Sequence, residues 1–178
     1  MGIRARWDYV RSIDRGLSPQ PEDEKPAISR NLKPLIPLLG QWEEEPRENG
    51  QSAHHSRLGF QWVEYLDLIT VRLDVSSPDQ EPAYLGDAYL YHHLVTNTLR
   101  CLALTHSVGV YEGDVTLLPD RALECDLRGF GGDLESRHVI RLDIQEDGSL
   151  RERVWTVADE SRTLTRDIRH RKFAPNQE

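Results

Sequence analysis

The sequence predicts an all-β protein, an antiparallel up-and-down barrel of about 8–10 strands behind a short N-terminal helical arm. Three observations lead there. "ITVRLDV" (69–75) and "HVIRLDI" (138–144) alternate apolar and polar residues without a break, which gives a strand one buried and one wet face. Turn chemistry recurs between candidate strands, in "SSPDQEP" (76–82), "EGD" (112–114), "PDR" (119–121), "GFGGD" (129–133) and "EDGS" (146–149). No window after residue 40 shows helical periodicity, so the strands have no helical crossover and must join by hairpins.

Residues 1–33 form the arm. "RWDYVRSIDRGL" sets Trp7, Val10 and Ile13 at helical spacing, and the proline- and acid-rich "SPQPEDEKPAIS" that follows is irregular. The arm is expected to pack on the domain surface or against another subunit. The barrel is expected over 34–173, with a disordered tail over 174–178. "NLKPLIPLLG" reads as one short helical turn, broken by Pro37 and ended at Gly40. Trp42 then enters the first strand, where its indole caps the closed end of the core. An arginine of the last strand, Arg166 or Arg169, is available to lie across that ring. Besides the two alternating segments, strands are expected at 41–48, 57–66, 84–93, 98–106, 108–112, 115–118, 122–128, 150–157 and 162–172.

A chain of 178 residues suits one core. Its net charge of −8 opposes nucleic acid or an anionic membrane as main partner, because both need a basic footprint. The two cysteines, Cys101 and Cys125, lie in apolar stretches without CxxC spacing and read as small buried hydrophobes. No stretch resembles a signal peptide or a membrane span, which makes a cytoplasmic location the expectation.

Strand parity picks the candidate binding residues. His138 shares a face with Ile140 and Leu142, and Arg166 and His170 share one with Leu164 and Ile168. An arginine and two imidazoles inside an apolar barrel suit a ligand with an acidic or carbonyl end, since desolvated charge needs a partner. The competing reading stacks Arg166 on Trp42 and ties His138 to a neighbouring strand. In "YLYHH", Tyr89, Tyr91 and His93 share one face, and the two tyrosines are candidate cavity lining. His92 and His93 point to opposite faces and cannot chelate one ion, so no metal site is expected. The parity of "LRCLALTHS" stays open. Leu99, Cys101, Ala103 and Thr105 inside would leave space, whereas Arg100, Leu102, Leu104 and His106 would make a fuller stripe. His106 is a candidate at the rim. The carboxylates of "QWEEEPRE" read as a solvated edge, and "RHRK" as the exposed end of the last strand. No nucleophile motif or phosphate-binding loop is present.

"LLGQW" resembles the Gly-x-Trp start of the calycin superfamily, which holds lipocalins and fatty-acid-binding proteins. With "YLGDAYLYHH", "DGSLRERVW" and "RTLTRDIRHRKF" in order, the chain is similar to bacterial calycin-like barrels of unknown function and to nitrobindin-type heme-binding barrels. The likeness covers roughly residues 34–173. It implies a small hydrophobic or amphipathic ligand inside or at the mouth of the barrel. A nitrobindin-like protein would also carry heme on a last-strand histidine and handle reactive nitrogen species. The nearest candidate is His170, which lies several residues later than that pattern and lacks its Pro-His pair. The leading expectation is therefore binding of a mostly apolar small molecule with a polar or acidic end. The alternatives are a heme-dependent isomerase, a lipocalin-like enzyme using His138 or His170 as acid or base, and a non-catalytic protein that self-associates as a homodimer.

Overall fold

Each strand of the chain hydrogen-bonds to the next, and the last returns to the first. The structure, a computed structural model, describes residues 28–46, 55–76, 83–106, 109–119, 122–130 and 136–173. Residues 1–27 of the arm and the tail 174–178 lie outside the described residues. The strands are β1 (Gly40–Glu44), β2 (His55–Val63), β3 (Leu68–Ser76), β4 (Ala83–His93), β5 (Thr98–Thr105), β6 (Gly109–Leu117), β7 (Ala122–Phe130), β8 (Arg137–Ile144), β9 (Leu150–Ala158) and β10 (Ser161–Phe173). All neighbours are antiparallel, and β1 closes the barrel on β10. Closure leaves no unpaired edge, which explains how short alternating strands avoid edge-to-edge association. Among the described residues, no helix is long and apolar enough to cross a membrane.

One end is sealed. A 3-10 turn, Lys33–Leu38 with Pro37 inside it, buries Leu35 and Leu38 beside Leu32. Gly40 starts β1 at φ 121, where a Cβ would also sit 2.8 Å from Lys172 Cε. The positive φ is what favours glycine here, since the flexible Lys172 side chain could move aside. Trp42 is 1% exposed, and its indole N–H donates to the Leu38 carbonyl at 2.7 Å. The cation above the ring is Lys172, its Nζ 5.2 Å from the centroid, and neither Arg166 nor Arg169. Register explains the difference. Lys172 is the direct partner of Trp42 on the inner face, whereas Arg169 points outward to Asp147.

Two further expectations are corrected. "EGD" (112–114) is not a turn, because β6 runs unbroken from Gly109 to Leu117. Gly113 sits mid-strand, where a Cβ would stand 1.7 Å from the Asp126 carbonyl oxygen. It marks a close backbone approach instead of a reversal. Leu164 does not share the inner face with Arg166, because a bulge between them shifts the register and turns Leu164 outward opposite Trp155. "EDGS" is a turn as expected, with Gly148 at φ 81 and its N–H bonded to the Gln145 carbonyl.

Burial on the inner face is uneven. Leu58, Phe60, Ile69, Leu90, Leu127 and Leu150 are buried. The inward-facing Leu73, Ala88, Ala103, Ile140 and Thr156 are only half-buried.

Candidate functional site

Beyond the bulge at Thr165, β10 alternates cleanly, and Arg166, Ile168 and His170 point inward. In register on β9 and β1 stand Glu152, opposite Ile168, and Glu44, opposite His170. The four polar side chains therefore come from three adjacent strands. Glu152 is the hub. Its Oε2 accepts from His170 Nε2 at 3.0 Å and lies 3.3 Å from an Arg166 terminal nitrogen. Glu44 accepts from both the backbone N–H and the hydroxyl of Ser56 at 3.0 Å. His170, Glu44 and Glu152 are all buried. With Nε2–H given to Glu152, a neutral His170 keeps Nδ1 as a bare acceptor, and Nδ1 has no hydrogen-bond partner among the described residues.

Arg166 differs from its neighbours. Its side chain is 27% exposed, yet Nε is buried without a hydrogen-bond partner among the described residues, and the buried Nη2 has only the 3.3 Å ion pair to Glu152, without hydrogen-bond geometry. In the ten-strand circle β5 lies diametrically opposite β10, and there the inward residues include Cys101 and Ala103. The open parity of "LRCLALTHS" is thus resolved: the smaller set faces in. Cys101 and Cys125 both point inward and are free and buried. Hydrogen bonding to Cys101, then burial, pushes the Cys125 thiol well above the ordinary range. Both serve as small buried side chains of the core.

His138 faces inward as parity requires, one row nearer the mouth than Arg166 and two strands away. Its Nδ1 lies 3.4 Å from the Thr156 hydroxyl, and its ring meets Tyr111 edge-on at 5.5 Å. Ser136 donates to the Tyr111 hydroxyl at 3.4 Å, which completes a small polar group on the mouth side.

The remaining candidates lie elsewhere. Tyr89 and Tyr91 point outward, since Ala88 and Leu90 take the inner face of β4, so they do not line the interior. Tyr89 instead borders a groove of about 260 Å³ on the outer wall, with Gln41, Gly59, Gln61 and Arg72 among its other walls. Tyr91 approaches Glu112 at 3.4 Å, and burial followed by that carboxylate raises its hydroxyl above the usual tyrosine range. His106 is exposed on the turn after β5, its N–H bonded to the Leu85 carbonyl. His92 and His93 are engaged within their own turn, by Asn97 and Thr96. Among the described residues, no group of three or more His, Cys, Asp or Glu is placed to hold a metal.

Two members of the site, Glu44 and Glu152, were not expected from the sequence. "QWEEEPRE" is not simply a solvated edge. Glu43 and Glu45 face out to Arg57 and Arg171, while Glu44 is inside. Parity alone held the signal, because Glu44 shares a face with Trp42 and Glu152 shares one with Leu150. Heme does not fit at His170. The ring is fully buried, Nε2 is occupied by Glu152, and the charged Glu44 stands opposite it in register on β1. The chain matches no family model and no curated protein. The fold is a closed, ten-stranded antiparallel barrel, compatible with a calycin-like barrel, with a charged cluster inside its wall.

Proposed function

We propose that the barrel binds a small, mostly apolar molecule by its polar or acidic end. The observation that carries this reading is the Arg166 guanidinium, directed inward with Nε buried and unpartnered among the described residues and Nη2 held only by the 3.3 Å ion pair to Glu152. Buried donors left without acceptors are costly, so such a group is kept where something completes it. Glu152 offsets part of its charge but is shared with His170. A carboxylate or carbonyl oxygen beside Arg166 supplies the missing acceptors, and the planar fork favours a carboxylate. The apolar portion then runs toward the mouth along Ile140, Val154, Ala88 and Ala103, which are half-buried. His138 and Thr156 stand beside that path and select for a second polar atom.

Native mass spectrometry of the purified protein, followed by calorimetric titration with decanoate, tests the reading. A bound organic mass or saturable decanoate binding is expected. Arg166→Met should weaken it by roughly 10–100-fold, the loss of one charged hydrogen-bonding partner. Equal affinity in both proteins, or no binding by either, would count against it.

A further inference from the structure

The sealed end of the barrel carries large apolar side chains that the described fold leaves in water. Tyr65 and Leu66, in the β2–β3 connection, are 93% and 68% exposed, and Leu94 and Val95, in the β4–β5 turn, are 86% and 90% exposed. Strands β3 and β4 pair with Leu68 opposite Tyr91, so the two connections sit side by side at this end. Single exposed apolar residues need no explanation, but four large ones on adjacent turn tips make a patch, and patches mark contacts.

The path of the chain says what covers it. Ile28 packs against the core, and the Ser29 N–H donates to Asp67 Oδ1 at 3.1 Å. Asp67 directly follows Leu66. The first 27 residues therefore join the barrel at the edge of the patch. They include Trp7, Tyr9, Val10, Ile13 and Leu17, followed by ten polar and proline-rich residues, 18–27. A ten-residue spacer reaches up to about 33 Å, far more than the step between neighbouring turns. We infer that residues 7–17 of the same chain dock their apolar side chains on Tyr65, Leu66, Leu94 and Val95. The segment supplies the aromatic and aliphatic surface that the turn tips lack, and its tether makes the contact intramolecular, which raises its effective concentration.

Hydrogen exchange by mass spectrometry on the full chain, with light scattering on the same samples, tests the inference. Amides 7–17 should be protected in a monomer. In L94D/V95D that protection should fall by about 10-fold or more, with exchange in the barrel strands unchanged. V10D/I13D, which alters only the segment, should lose the same protection and leave the barrel intact. Unprotected amides in the parent chain would overturn the inference, as would protection indifferent to both variants. A dimeric mass that falls to monomer in L94D/V95D would assign the patch to a second copy and overturn it too.

Discussion

Glu152 holds together two side chains that have no other acceptor in the described structure, so its removal should be felt through both. Replacing it by leucine fills the volume but strands the Arg166 guanidinium and the His170 N–H inside the wall. Breaking a buried pair from one side costs about 3–5 kcal/mol, and because Arg166 keeps some solvent contact the lower end applies, about 3 kcal/mol. Arg166→Leu is milder, about 1–2 kcal/mol, since Glu152 retains His170. The double variant replaces the pair by apolar groups and should cost no more than about 2 kcal/mol, because an apolar replacement of a buried pair is often neutral. The three proteins and their parent, unfolded in urea at pH 7, form a double-mutant cycle with a coupling of about 2–3 kcal/mol. Additive losses, with coupling under about 0.5 kcal/mol, would show that Glu152 and Arg166 do not meet inside the barrel.

Three other outcomes follow from the geometry. Trp42→Ala should lose about 3–5 kcal/mol in urea unfolding, and Trp42→Phe about 1–2 kcal/mol for the Leu38 carbonyl it strands; equal losses would deny the hydrogen bond its part. Gly113→Ala should destabilise by about 3 kcal/mol or fail to fold, because the methyl would enter the backbone of β7, whereas Gly148→Ala, with open space around it, should cost only about 1 kcal/mol for its positive φ; thermal melts separate the two. Hydrogen bonds from Arg137 and Arg151 hold Asp126 and Asp167 below the ordinary carboxylate range. Their stabilisation is complete above the unfolded-state value and lost as pH falls through the lower folded values. Stability should therefore drop on acidification below about pH 4, and Asp126→Asn with Asp167→Asn should flatten that slope.

The fold was legible because period-two patterning survives in nearly every strand, and because Pro37 and Gly40 place the turn that precedes Trp42. The interior was legible as far as parity ran unbroken: His138, Arg166 and His170 all face in. Parity failed where the backbone departs from regular pairing. The bulge at Thr165 moved Leu164 outside, and Gly113, which reads as a turn residue, turned out to relieve a backbone collision. For Tyr89 and Tyr91 the pattern was clear but the face was not, since an aromatic fits either side of a strand and only Leu90 across the sheet decides. The two glutamates were missed for a related reason. A carboxylate on a strand is ordinarily on the wet face, and only three-dimensional pairing reveals the Ser56, His170 and Arg166 donors that keep Glu44 and Glu152 inside. The choice of Lys172 over an arginine as the cation on Trp42 likewise follows from register, which sequence alone does not fix.

The most direct test is the Arg166 side-chain Nε–H resonance, assigned by comparison with Arg166→Lys and followed by NMR as decanoate is added. A ligand whose acid end reaches the interior should shift that signal in proportion to occupancy while those of Arg72, Arg151 and Arg171 on the outer wall stay in place. A stationary Arg166 signal at saturation, or shifts confined to the outer groove around Arg72, would contradict a binding site inside the barrel.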